Sequence, residues 1–344
     1  MFENIMINRY RGIKTAVVKD LHQVNVFFGK NNCGKSSLLE SLFLLTGQSN
    51  PILPLSVNAF RGYSSLQTAD DLKLNFYDLD ANIPITISSE GGEPRHLSIS
   101  LIQSVSKTID VKSLMETSSQ ASEQFFGLKL SFADNYSSEV VFKKEGKDKA
   151  KVNVSKPYKE TVVAELIPAR FPIGESAAKR MTNIIKEKKK DRILSILRVM
   201  EPRVADIVVA DNTVMVDIGS EHFLPINVMG DGLTKVLLNV IAIYDCSGGV
   251  ALIDEVDNGL HFSMMELLWK AMIAAATENN VQLFVTTHNI DSLKGLDKVM
   301  QSGAFAKDAL SAYKLIKTDD DTLNALRYDA DTLSYMIEQE IEVR

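Results

Sequence analysis

Eight consecutive residues, Gly29-Lys30-Asn31-Asn32-Cys33-Gly34-Lys35-Ser36, carry glycines, a lysine and a hydroxyl at the spacing G-x-x-x-x-G-K-[ST], with Ser37 directly after them. That set of groups can hold a polyphosphate. Gly29 and Gly34 let the backbone turn its N–H groups inward around phosphate oxygens, and a following helix N-terminus adds partial positive charge. Lys35 is spaced to meet the β and γ phosphates, and the Ser36 hydroxyl to ligate Mg2+. A second chemical group closes the apolar run Gly249-Val250-Ala251-Leu252-Ile253, which ends in Asp254 and Glu255. Adjacent carboxylates at a strand end can divide two tasks: Asp254 holds magnesium directly or through water, and Glu255 orients and polarises an attacking water. A third is His288, at the end of the apolar run Val281 to Thr287, where a side chain can sense a γ-phosphate.

These residues need rigid elements behind them. Val24 to Phe28 is apolar and β-rich and reads as a buried strand, while Ser37 to Leu45 has helical spacing. Strand, glycine loop and helix are the context the phosphate-loop pattern requires. The Asp254 strand is followed by the turn Asp257 to His261 and a helix over Ser263 to Thr277, whose Met264, Met265 and Met272 read as core. The turn at Met229-Gly230-Asp231-Gly232 opens a helix that contains Lys235 and continues through Val236 to Tyr244, a second candidate anion-binding turn. From about Ile83 to Ser155 the pattern alternates with period two, predicting an antiparallel meander with Lys107 to Gln124 as an insertion. A meander does not belong in a purely parallel core, so it is expected as a second sheet packed against that core. Leu55 to Asp80 is expected to be partly helical, Asp206 to Asp217 a hairpin, and Ser176 to Met200 helical. The last carries KEKKKDR at Lys186 to Arg192, either a DNA contact or, as such runs more often are, a solvated helix face. The fold class is therefore α/β, a mixed and largely parallel phosphate-loop core with an additional antiparallel sheet and a helical lobe.

Composition narrows the class. The chain has 344 residues, 45% of them hydrophobic, enough for one large domain or two lobes. A net charge of −6 argues against a protein that coats nucleic acid with its whole surface. Two cysteines, Cys33 and Cys246, one inside the phosphate loop, argue against a disulfide framework and for a reducing cytoplasm. No apolar run is long enough to span a membrane, so no membrane partner is expected.

In order along the chain, GKNNCGKSS, MGDGLTK, VALIDEVDNGLH and FVTTHN resemble the ABC-type ATPase superfamily, and within it the group containing RecF, the SMC proteins and the OLD ATPases. The ending, from Ala312-Tyr313-Lys314-Leu315 to Arg344, is similar to compact ATPases of bacterial defence and abortive-infection loci known as AAA proteins. The resemblance implies one ATPase head over 1–344: an N-terminal lobe (1–170), a short helical projection (171–205) and a C-terminal lobe (206–344). It implies ATP and Mg2+ as cofactors, slow ATP hydrolysis, and a homodimer that sandwiches two ATP molecules. Each ATP would lie between the phosphate loop of one subunit and the signature turn of the other. Lys35, Ser36, Asp254, Glu255 and His288 match the phosphate-loop, magnesium, catalytic and switch-histidine positions. Gly230-Asp231-Gly232 falls where that family has its signature sequence, with Gly230 replacing a serine, so backbone N–H groups and the charge of Lys235 would act there. Gln67 is the candidate glutamine-loop residue. No heptad run is long enough for an SMC arm. The implied function is an ATP-driven switch of an effector protein encoded nearby or of a DNA contact, in anti-phage defence. The alternatives are a RecF-like DNA-repair ATPase and the ATPase subunit of an OLD-like complex. In the last case the nuclease would sit on another chain, because few residues follow His288, and Asp319-Asp320-Asp321 among them reads as a turn.

Overall fold

The computed structural model describes residues 1–63, 68–106, 123–143, 151–169 and 175–339. Gln67 lies outside these, as does most of the insertion expected at Lys107 to Gln124. The N-terminal strands are β1 (Asn4–Tyr10), β2 (Ile13–Val18) and β3 (Val24–Phe28), followed by α1 (Lys35–Thr46), α2 (Leu53–Phe60) and α3 (Ala69–Lys73). The meander is β4 (Ile85–Glu90), β5 (Arg95–Ser106), β6 (Glu123–Phe132), β7 (Tyr136–Lys143) and β8 (Lys151–Val154), and the chain then re-enters the core as β9 (Ala164–Ile167). Helices α4 (Glu175–Lys186) and α5 (Lys190–Met200) lead to β10 (Asp206–Ala210), β11 (Thr213–Asp217) and β12 (Leu224–Pro225). The remainder runs α6 (Asp231–Asp245), β13 (Val250–Ile253), α7 (Met265–Glu278), β14 (Gln282–Thr287), α8 (Ile290–Gln301), β15 (Leu310–Lys317), β16 (Thr322–Tyr328) and α9 (Ala330–Glu338).

The expected core is present as five parallel strands in the order β15-β3-β14-β13-β9. Every side chain of β3, β13 and β14 is buried, the polar Asn25, Gln282, Thr286 and Thr287 included, as strands covered on both faces must be. One expectation about the meander is corrected. It does not pack as a second sheet on the core but joins it edge to edge, through β4 pairing with β1, giving one sheet of 13 strands. Twist makes an open sheet of more than about ten strands curl, and this one bends around α1. Leu38, Leu39, Leu42 and Leu45 of α1 share one core with Ile85, Ile87, Leu97 and Ile99 of the meander and with Leu252 and Phe284 of the parallel strands. The phosphate-loop helix is thus enclosed by its own sheet.

The opposite face is covered by α6, α7, α8 and α9, whose side chains pack with Val24, Val26, Phe28, Ala251 and Ile253. Met265 and Met272 are fully buried there, as core, and the Trp269 indole N–H donates to the Ser292 carbonyl at 2.8 Å. A separate small antiparallel sheet is formed instead by β10-β11-β12, from the expected hairpin with Asp211 and Asn212 at its turn. The residues expected as a projection, where described, form α4 and α5; Met181, Ile184, Ile193, Leu194 and Leu197 pack into the same core as α6.

Candidate functional site

Parallel strands gather loops at their carboxyl ends, where open α/β sheets hold ligands. Phe28 is opposite Thr287, and Ile253 is opposite Val285. Gly29, His288 and Asp254 therefore leave adjacent strands β3, β14 and β13 at the same end of the sheet. Register alone thus brings Gly29 together with Asp254 and His288, 225 and 259 positions further along the chain.

The phosphate loop has the backbone its glycines suggested. Gly29 sits at φ 147 and Gly34 at φ 105, with Asn32 also left-handed at φ 63. A Cβ on Gly29 would lie 2.6 Å from the Leu315 carbonyl oxygen of β15, so the neighbouring strand excludes a side chain there. Gly34 precedes α1 without a side-chain cap, so the first-turn N–H groups are left for an anion. Lys30, Asn31 and Asn32 are exposed, whereas Lys35 is 7% exposed. Its ammonium donates to the Gly29 and Lys30 carbonyls at 2.9 and 2.8 Å, bonds that a phosphate can replace. Cys33 is buried below the loop, and burial pushes its thiol up, making it an unreactive packing residue.

At the carboxylate strand end, a residue that sequence reasoning passed over does the positioning. Thr286 is fully buried on β14; its hydroxyl donates to Asp254 Oδ1 at 2.5 Å and accepts the Glu255 N–H at 2.7 Å. One hydroxyl thus aims both members of the pair, and Asp254 Oδ2 is left for a cation. A buried carboxylate oriented by a hydroxyl, with Ser36 at the start of α1, fits magnesium in donor type. Glu255 has φ 47, unusual for a residue with a side chain. Such backbone strain concentrates where a side chain must leave the strand direction. His288 is exposed at the end of β14. Thr286 lies within the FVTTHN run, so its position was legible but its role depended on which strand lay beside it.

Two arginines were also missed. A cavity of about 330 Å³ opens beside the loop, lined by Asn32, Gly34 and Ser37 together with Arg11, Arg61 and Phe76. Arg11 comes from the β1–β2 turn and Arg61 from the end of α2, and only the fold brings them to Ser37.

The Gly230 turn opens α6 close to the loop that follows Glu255, a Cβ on Gly232 lying 3.4 Å from Leu260. Gly230 (φ 95) and Asp231 are exposed at the start of α6, and Gly232 is half-buried. Lys235, expected to lend charge to this turn, points into its own chain and donates to the Glu255 carbonyl at 2.8 Å. Burial pulls its ammonium pKa down, against the pull of Asp257, Glu255 and Asp254. In the KEKKKDR run, Lys189 pairs with Glu187, Lys190 with Asp206 and Arg192 with Glu278. Asp320 and Asp321 are held by Thr318, Thr322, Tyr77 and Lys317, which makes them turn residues.

A phosphate loop on an enclosed helix, with a carboxylate pair clamped at the same end of the parallel sheet, is the arrangement of a P-loop ATPase. A family model described as "AAA ATPase domain" matches residues 1–189, and one described as "AAA domain, putative AbiEii toxin, Type IV TA system" matches residues 142–293. The chain belongs to the AAA ATPase domain family. It is similar to an "ATP/GTP phosphatase" of Helicobacter pylori, 27% identical over 372 residues that span 99% of each protein. Among solved structures it is similar to the SMC head domain from Thermotoga maritima, with a TM-score of 0.42 and 9% identity, covering 95% of this chain and 99% of that one. It is similar also to an Smc head domain with an extended coiled coil bound to the C-terminal domain of ScpA derived from Pyrococcus furiosus. There the TM-score is 0.49 at 8% identity, over 99% of each chain. Among the described residues no helix is long and apolar enough to cross a membrane.

Proposed function

We propose that this chain hydrolyses ATP in a site completed by a second copy of itself, and that the ATP-engaged homodimer switches an effector protein in anti-phage defence. The observation that carries the reading is the exposure of the Gly230 turn. Lys35, Ser36, Asp254, Glu255 and His288 belong to loops at one end of three adjacent strands, while the Gly230 turn is exposed at the start of α6 and does not line the cavity beside the loop. An exposed helix N-terminus suits a phosphate brought by another subunit. The defence role is supported by the family description that names a putative AbiEii toxin. A protein effector is favoured over DNA because Lys189, Lys190 and Arg192 are already ion-paired.

In this reading Lys35 leaves the Gly29 and Lys30 carbonyls for the β and γ phosphates, and Ser37 and Arg61 face the remainder of the polyphosphate. Magnesium held by Ser36 and Asp254 supplies positive charge against the phosphate oxygens. Glu255 takes a proton from a water as its oxygen bonds to the γ-phosphorus and the bond to ADP breaks; His288 donates to the γ-phosphate. Glu255→Gln keeps the shape and removes the base. The expected result is a dimer by mass measurement that persists with ATP, together with little phosphate release. Unchanged turnover in Glu255→Gln removes the catalytic assignment, and an ATP-saturated wild-type chain that stays monomeric removes the shared site.

A further inference from the structure

Beside the phosphate loop, two arginines share one buried carboxylate. Glu40 lies on α1 one turn beyond Ser36 and is 6% exposed. Arg11 Nε is 2.9 Å from its Oε2, Arg61 donates Nε to Oε1 at 2.7 Å and Nη2 to Oε2 at 3.1 Å, and the Tyr10 hydroxyl donates to Oε2 at 3.3 Å. Glu40 thus accepts three hydrogen bonds, from Arg61 and Tyr10, while Arg11 faces it as an ion pair and gives its Nε–H to the Tyr10 hydroxyl. Both arginines line the cavity that begins at Gly34 and Ser37, together with Asp78 and with Lys317, which is paired with Asp321. Guanidiniums beside a phosphate loop are donors that suit an anion.

The two arginines are held differently. Arg11 is 9% exposed in its side chain and also donates to the Tyr10 hydroxyl at 3.0 Å and to Asn58 Oδ1 at 2.8 Å, with Asn58 itself buried. Arg61 is 37% exposed in its side chain and adds a long bond of 3.4 Å to Ser37 Oγ. Arg11 is fixed, whereas Arg61 can leave Glu40 without disturbing the core.

We infer that Glu40 is a positioning residue for nucleotide binding, a counter-ion that keeps Arg11 at the cavity wall and competes with the nucleotide's phosphates for Arg61. This rests on the reading that ATP occupies the phosphate loop. In the empty protein the carboxylate holds Arg61 back; with ATP bound, phosphate oxygens take over its guanidinium, and Glu40 retains Arg11 and Tyr10. Glu40 therefore sets the affinity for the charged part of the nucleotide and not for the nucleoside.

The test is calorimetric titration of the full chain with ATP and with adenosine, in magnesium. Glu40→Gln removes the charge and keeps the shape, and is expected to tighten ATP at least threefold while leaving adenosine unchanged. In an Arg61→Ala background the same substitution is expected to give less than half of that gain, because the competitor for Arg61 no longer matters. Unchanged or weaker ATP affinity in folded Glu40→Gln overturns the inference, as does a gain undiminished by Arg61→Ala. Should Glu40→Gln not fold, Glu40→Asp retains the charge on a shorter arm, and tightening in the same direction is expected there; an unchanged ATP affinity overturns the inference equally. Lys35→Ala separates the two readings. If it leaves ATP affinity intact, the phosphate-loop reading fails; if it abolishes binding while the Glu40 variants behave as wild type, only the counter-ion role fails.

Discussion

Replacing Thr286 by valine isolates the clamp that holds Asp254 and the Glu255 backbone. The substitution swaps a hydroxyl for a methyl at a fully buried position on β14 and leaves the strand otherwise intact. Two bonds disappear, the donation to Asp254 Oδ1 at 2.5 Å and the acceptance of the Glu255 N–H at 2.7 Å. Leaving a buried backbone N–H without a partner costs about 1–3 kcal/mol, and a hydrogen bond to an ionised group contributes about 1.5–3 kcal/mol. The added methyl returns less than about 1 kcal/mol. The net loss is therefore about 1.5–6 kcal/mol, a sizeable part of a typical total of about 5–15 kcal/mol. The same change frees Asp254 to rotate, and loss of a group that orients a metal ligand typically weakens metal use about 10–100-fold. Urea denaturation measures the first effect; the magnesium concentration for half-maximal ATP hydrolysis measures the second. Thr286→Ser retains the hydroxyl and is expected to restore both. A Thr286→Val protein with stability within about 0.5 kcal/mol of wild type and the same magnesium midpoint would refute the clamp.

Gly29→Ala places a Cβ 2.6 Å from the Leu315 carbonyl at a φ of 147, so ATP affinity is expected to fall at least tenfold, and a normal binding isotherm would show that the loop does not need this approach. Lys235→Met keeps the apolar stem but removes the buried ammonium that donates to the Glu255 carbonyl; hydrolysis is expected to drop at least tenfold with stability changed by less than about 1.5 kcal/mol, whereas full activity would deny the lysine a part in holding Glu255. Cys246 gives a pH dependence. Its thiol donates to the Ala242 carbonyl at 2.9 Å, and burial, with the charges of Glu165 and Asp245, pushes it up to about 12. The unfolded thiol ionises near about 8.5, so the native state holds the proton longer. This contribution to stability is complete below the unfolded value and is lost as pH rises towards the folded one, by at most about 1.4 kcal/mol per pH unit. The difference between wild type and Cys246→Ala in denaturation at pH 8 and pH 10 measures it, and a pH-independent difference would contradict the burial.

Much of the nucleotide machinery was legible in one dimension because each part is local. A glycine turn must contain its glycines, and a parallel strand covered on both faces is mostly apolar, so Gly29 to Ser37 and Val250 to Glu255 announced both their types and their elements. The meander strands were legible for the same reason, as period-two runs between β4 and β8. Their attachment was not: whether a meander stacks on a core or extends its edge depends on which strand offers free N–H and C=O groups, and β1 offers them to β4 at a separation of some eighty residues. Arg11, Arg61 and Glu40 carry no spacing signal, since they meet through a hairpin turn, a helix end and a helix face.

The amino-acid sequence by itself determined which groups are present: a phosphate-loop pattern, a carboxylate pair and a histidine, each at the end of an apolar run or a glycine turn. Tertiary structure decided how those groups are held. Register between β3, β14 and β13 brought them to one end of the sheet, a threonine hydroxyl aimed the carboxylates, and a curled sheet enclosed α1 with two arginines at its side. It also turned Lys235 inward to the Glu255 carbonyl. The division has a physical basis: backbone geometry and burial act over a few residues and leave a periodic trace, whereas a hydrogen bond between strands depends on distances that no spacing along the chain records.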